Sequence, residues 1–118
     1  MDSNVLNLQE RKCKACSPDT PPLEGEELRQ YHNRLEEGWD LSGEHHLERV
    51  FKFKNFRQAL DFTVKVGEMS EEEGHHPDIV LKWGEVKVII YTHAIEALSE
   101  SDFIWAAKAD GLYAESRD

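Results

Sequence analysis

From Glu71 to Ala94 the sequence reads EEEGHHPDIVLKWGEVKVIIYTHA, and the reading of this stretch decides the fold. DIVLKW (78–83) and VKVIIY (86–91) are two β-branched runs of strand length on either side of Gly84–Glu85. Runs of this kind around a glycine-containing turn predict a β-hairpin. A two-residue turn at Gly84–Glu85 sets Trp83 opposite Val86, Lys82 opposite Lys87 and Ile79 opposite Ile90. Continued to the open end, the same register sets His76 opposite His93. Opposed residues have Cβ atoms about 4.5–5.5 Å apart, so two histidines distant in sequence are expected to meet there. Pro77 biases His76 towards extended backbone, where neighbouring side chains diverge. His75 is therefore expected to approach from another direction, beside the end of the preceding helix.

Working outward, the chain alternates between helical and strand patterns. GEELRQYHNRL (25–35) carries Leu28, Tyr31 and Leu35 at helical spacing, and Gly38 ends it. WDLS (39–42) is a short strand. HHLERVFKFK (45–54) sets Leu47, Phe51 and Phe53 on one strand face and Glu48, Lys52 and Lys54 on the other. Asn55 is an N-cap for a second helix, whose expected apolar stripe is Phe56, Ala59, Leu60, Thr63, Val64, Gly67 and Met69. A last helix begins at Ser99, where SESD offers a capping-box-like serine with an acid three residues on. Gly111 stands where that helix is expected to stop. The order α-β-β-α-β-β-α predicts an α+β two-layer domain, a four-stranded antiparallel sheet with helices packed on one face. Its boundaries are read as residues 23–113, between a flexible N-terminal tail (1–22) and a C-terminal tail (114–118).

Composition narrows the function classes. A chain of 118 residues is one domain, small enough that a subunit interface would help to stabilise it. A formal charge of −10 argues against nucleic acid or an anionic membrane as a direct partner, because neutralising phosphates requires clustered Lys and Arg. No apolar run approaches the roughly 20 residues that span a bilayer. MDSNVLNLQERK has no apolar signal core, and a cytoplasmic protein is the expectation. Both cysteines lie in CKAC, as Cys13 and Cys16. With no second pair to complete a four-sulfur site and no βαβ context, they read as reduced thiols in the tail. The prolines of SPDTPPLEGEE close that tail.

Three imidazoles at one rim allow two chemistries and one inert alternative. A three-histidine zinc site with an open position is one, although consecutive His75 and His76 would both have to turn towards the same ion. General acid–base work without metal is the other, since an imidazole exchanges protons near neutral pH. The inert alternative is a solvated hairpin end.

EEEGHHPDIVLKW followed by VKVIIYTHAIEALSESDFIWAAKAD resembles the pterin-4a-carbinolamine dehydratases, also called 4a-hydroxytetrahydrobiopterin dehydratases. The resemblance runs from about Leu23 to Leu112 and includes Gly38–Trp39 and the FKFKNF junction at Phe51–Phe56. H-H-P, T-H and S-x-x-D-F at these separations carry it, whereas His45–His46 matches nothing and reads as turn or strand edge. The resemblance implies a hydro-lyase that removes water from 4a-hydroxytetrahydropterin, giving quinonoid dihydropterin in tetrahydrobiopterin recycling. It implies His75, His76 and His93 as the catalytic set, with His76 and His93 flanking the N5–C4a edge and His75 assisting at the hydroxyl. Glu71, Gly74, Pro77, Tyr91, Thr92 and Ala94 match the pterin-binding neighbours, and Asp102 a supporting acid that competes with a capping role towards Ser99. Neither a metal nor a separate cofactor is implied, the pterin being the substrate. The implied partners are further copies of the chain, as homodimer or homotetramer, and a functional link to an aromatic amino acid hydroxylase. Animal relatives also stabilise a transcription-factor dimer, so a non-catalytic binding module, or transcriptional coactivator, is the alternative. Some relatives carry an acid immediately before H-H-P where this chain has Gly74, which leaves open the carboxylate that serves the histidines.

Overall fold

The structure is a computed structural model that describes Leu8, Glu10, Arg11, Cys13 and residues 17–116. Its elements are α1 (Gly25–Asn33), β1 (Asp40–Ser42), β2 (His46–Lys52), α2 (Phe56–Glu73), β3 (Asp78–Lys82), β4 (Glu85–Ile90) and α3 (Glu100–Ser116). The strands form one antiparallel sheet in the order β1-β2-β4-β3. Leu47, Phe51, Val86, Val88 and Ile90 point to the helices and are fully buried, while Val50 and Val80 on the other face are 40% and 42% exposed. The helices therefore cover one face, as the α+β pattern predicts.

The β3–β4 hairpin is shifted from the expected register. Lys82 pairs with Glu85, Leu81 with Val86, Ile79 with Val88 and Asp78 with Ile89, so Trp83–Gly84 is the turn. Charge explains the shift. In this register Glu85 stands between two lysines, with Lys52 Nζ at 2.8 Å and Lys82 Nζ at 3.8 Å. Trp83 is left 68% exposed at the turn. Gly84 is needed there because a Cβ would come within 3.1 Å of the Phe53 carbonyl oxygen. A shift of two residues preserves which side chains face the core, but it removes the opposition of His76 and His93. The ladder ends at Asp78–Ile89, before either histidine is reached.

Helix α2 starts as expected, with Asn55 Oδ1 accepting the Gln58 N–H at 2.9 Å. Its buried face differs from the expected stripe. Ala59, Phe62, Val66, Met69 and Ser70 are buried, whereas Phe56 and Val64 are 43% and 49% exposed. Phe56, Leu60, Val64 and Gly67 form a second apolar stripe, turned roughly 100° around the helix from the first. Both stripes have helical spacing, so periodicity alone could not choose between them. Helix α3 also runs past Gly111, to Ser116. The last turns continue because Tyr113 packs against Phe51 (4.8 Å), Phe53 (5.4 Å) and Phe62 (5.8 Å). That contact offsets the roughly 1 kcal/mol that a glycine costs inside a helix.

The N-terminal segment is not a loose tail where the structure describes it. Leu8 is fully buried in the core. Arg11 pairs with Glu100 at 2.5 Å, and the Cys13 N–H donates to Glu73 at 2.8 Å. The Cys13 thiol donates to the Ser101 carbonyl at 3.4 Å. Burial, reinforced by Glu73, pushes this thiol up to about 12, so it stays protonated. Cys16 lies outside the described residues.

One buried carboxylate makes stability depend on pH. Asp110 accepts the Trp39 Nε1–H at 2.9 Å and pairs with Arg49 Nη1 at 2.6 Å. Burial outweighs both partners and pushes Asp110 up to about 6. An aspartate in the unfolded chain titrates near about 3.9. The folded state thus holds this proton more tightly, and the associated stability is complete below about pH 4 and lost as pH rises towards about 6, by about 3 kcal/mol in all. Urea unfolding between pH 4 and 7 should show this decline in the native chain and its absence in Asp110→Asn. A stability difference between the two that stays constant over that window would contradict it.

Candidate active site

The site is built where the C-terminus of α2, the end of β4 and the N-terminus of α3 converge. Helix α2 is closed by Gly74 in the left-handed conformation (φ 66°), which glycine adopts without the penalty a Cβ imposes. The next N–H, that of His75, still bonds back to the Ser70 carbonyl at 3.2 Å. This reversal turns His75 onto α3, where it is 6% exposed and its Nε2–H donates to Asp102 Oδ1 at 2.6 Å.

Asp102 is fully buried, and its second oxygen is equally committed. Oδ2 accepts the Ser99 backbone N–H and the Thr92 hydroxyl, each at 2.8 Å. Capping of α3 and support of the histidine are thus one arrangement, with one carboxylate oxygen for each task. A buried carboxylate is tolerable only with donors of this number and geometry. Among the described residues, no buried side-chain nitrogen or oxygen lacks a partner.

Thr92 ties the other strand to the same place. Beyond β4 its N–H donates to the Ala97 carbonyl at 2.9 Å, forming a tight return that delivers Ser99 to the start of α3. With its backbone bonded to Ala97 and its hydroxyl to Asp102, Thr92 braces the site from behind. His93 follows Thr92 directly and His76 follows His75, and consecutive Cα atoms are about 3.8 Å apart. The His75–Asp102–Thr92 chain of bonds therefore brings the backbone of the three histidine positions to one end of the sheet, by a route other than strand opposition.

The other two imidazoles are exposed. His76 Nε2 lies 2.5 Å from Glu71 Oε2, on the last turn of α2. The His93 ring stacks on Tyr91 at 4.3 Å. Pro77 is partly buried, and Gly74 and Ala94 are exposed beside these histidines. Tyr91 also contacts His45 at 4.6 Å. His45, read from sequence as a plain turn residue, thus reaches the site through Tyr91. The contact arises because β2 pairs with β4, Leu47 opposite Ile90, a pairing between strands not adjacent in sequence. Among the described residues, no group of three or more His, Cys, Asp or Glu is arranged to hold a metal ion.

Comparison with known proteins supplies the family. The family model for pterin 4 alpha carbinolamine dehydratase matches residues 21–112. The chain belongs to the pterin-4a-carbinolamine dehydratase family. Membership makes it an enzyme of the dehydratase class. A relative in Alkaliphilus metalliredigens that carries the family's name is 52% identical over 109 residues, covering 92% of this chain and 98% of its own length. One in Rubrobacter xylanophilus is 50% identical over 108 residues, covering 92% and 100%. A crystal structure from Brucella melitensis, described as a transcriptional coactivator/pterin dehydratase, superposes with a TM-score of 0.73 at 28% identity, covering 78% of this chain and 98% of that one.

Within this dehydratase family the glycine before H-H-P now has a physical account. Its left-handed backbone closes α2, and the histidines draw on other carboxylates, Asp102 for His75 and Glu71 for His76. Glu73 is not available for that role. Its side chain is 4% exposed and faces the Cys13 N–H at 2.8 Å and Lys108 at 3.6 Å.

Proposed function

We propose that the chain removes water from a 4a-hydroxytetrahydropterin, giving quinonoid dihydropterin, by histidine acid–base catalysis in the cytoplasm. The N5–H bond breaks and its electron pair forms the N5=C4a double bond. The C4a–O bond breaks in turn, and the hydroxyl takes up a proton to leave as water. Two proton transfers on neighbouring atoms call for two groups in different protonation states, each contributing about 10²–10⁴-fold.

The observation that carries this reading is the buried His75–Asp102 pair beside two exposed imidazoles, in a chain of this family. As an imidazolium, His75 keeps Nε2–H on Asp102 and gives Nδ1–H to the leaving hydroxyl, while His76 and His93 border N5 and one of them takes its proton. Glu71, Gly74, Pro77, Tyr91 and Ala94 surround them as the pterin-binding rim. Thr92 belongs to the support behind that rim.

Assembly into a homo-oligomer, which the family resemblance implies, would cover exposed Phe56 and Val64 and half-buried Leu60 on α2. Sedimentation equilibrium should then show Val64→Glu shifted towards monomer. The alternative, a protein-binding role, is supported by the family resemblance and by the description of the Brucella protein as a transcriptional coactivator/pterin dehydratase.

The activity is tested by stopped-flow absorbance with freshly generated 4a-hydroxytetrahydropterin. Loss of the carbinolamine should be faster with the chain than without it, and unchanged after chelation. No acceleration would refute the dehydratase reading, and loss of activity with a chelator would replace acid–base catalysis with zinc chemistry.

A further inference from the structure

We propose that the buried hydroxyls of Thr92 and Ser99 are positioning groups that orient Asp102 so as to fix His75 as its Nε2–H tautomer. The hydrogen bonds leave no freedom in the direction of the protons. Thr92 has one hydroxyl proton, which it gives to Asp102 Oδ2 at 2.8 Å. At its other 2.8 Å contact, with Ser99 Oγ, Thr92 must therefore accept, and Ser99 must donate.

Ser99 also gives its backbone N–H to Oδ2. With two donors on Oδ2, the carboxylate is held in one rotation, and Oδ1 faces His75. The order is Ser99 to Thr92 to Asp102, met from the other side by His75. Which nitrogen of a neutral imidazole carries the proton is set by the bond its partner nitrogen makes. An ionised Asp102 can only accept, so Nε2, the nitrogen that faces it, carries the proton.

Burial makes the hydroxyls necessary. Thr92 and Asp102 are fully buried and Ser99 is 2% exposed, which leaves no open path for solvent to replace a missing donor. Removing the Thr92 hydroxyl takes one donor from Oδ2 and leaves Ser99 Oγ without its acceptor. Asp102 is then less firmly held, and His75 samples the other tautomer. The catalytic half of this inference rests on the dehydratase reading above; the tautomer half does not.

The test uses the full chain with ¹⁵N-labelled histidine, read by NMR in alkaline buffer where an imidazole is neutral. The native chain should show His75 with Nε2 protonated and Nδ1 not. Thr92→Val, which keeps the shape, should give mixed tautomers and lower kcat roughly tenfold with KM within about twofold, the size expected for losing a hydrogen bond to a charged group. Thr92→Ser should restore both. Ser99→Ala, which retains the backbone donor, should act in the same direction with a smaller effect and serves if Thr92→Val folds poorly. The proposal is overturned if Thr92→Val leaves tautomer and kcat unchanged, or if Thr92→Ser is as impaired as Thr92→Val. A tautomer shift in a chain that shows no dehydration would uphold the positioning and refute only the dehydratase reading.

Discussion

Asp102→Asn is expected to lower kcat for dehydration by about 10²–10⁴-fold while leaving the fold in place. The substitution is nearly isosteric, and the amide oxygen can still accept the Ser99 N–H and the Thr92 hydroxyl that bind Oδ2. With the oxygen held there, the amide N–H₂ replaces Oδ1 and faces His75 Nε2. Two donors cannot bond to each other, so Nε2 must become an acceptor and the imidazole proton moves to Nδ1. Nε2 then cannot keep a proton of its own, so His75 cannot form the imidazolium that gives Nδ1–H to the leaving hydroxyl. The carboxylate charge that would stabilise that cation is also gone. Thermal unfolding close to native with a collapsed kcat would match this account. Near-native kcat would mean that the pair only caps α3.

The largest expected effect on stability is at Trp105. Its ring is fully buried, stands edge-on to Trp39 at 6.5 Å, and gives its indole N–H to Ser70 Oγ at 2.9 Å. Trp105→Ala removes the largest fully buried side chain where α2, α3 and the sheet meet, at a cost of about 3–5 kcal/mol. Domains of this size are stable by about 5–15 kcal/mol, so urea unfolding should shift by a large part of the total. A loss below about 1 kcal/mol would place the ring outside the core. In the sequence, the apolar DFIWAA run suits core packing for most of its residues, with an assembly surface as the rival reading. Burial of Phe103, Ile104, Trp105, Ala106 and Ala107 together assigns this run to the core.

The layer architecture was legible because hairpin, cap and periodicity signals are local. Asn55 capping α2 and the β-branched runs of β3 and β4 need only their neighbours to be read. Register was not legible at the same level. Whether the turn is Trp83–Gly84 or Gly84–Glu85 depends on Lys52, which belongs to another strand and supplies the ion pair that holds Glu85 in the ladder. The choice between two apolar stripes on α2 likewise depends on what packs against the helix. At the site, the resemblance pointed to His75, His76, His93 and Asp102, of which the structure bonds His75 to Asp102 directly. The meeting of His76 and His93 across the hairpin failed with the register, and Thr92 joins the strands instead. His45 was out of reach because its contact with Tyr91 follows from the β2–β4 pairing. The packing of Leu8 and Cys13 was hidden because a proline-bounded tail has no periodicity to read.

The most direct measurement is single-turnover stopped-flow dehydration, with enzyme in excess over freshly made 4a-hydroxytetrahydropterin, for His75→Ala, His76→Ala and His93→Ala beside the native chain. The account predicts that each variant is slower than the native chain and that His75→Ala approaches the spontaneous rate. All three variants retaining the full native rate would contradict it.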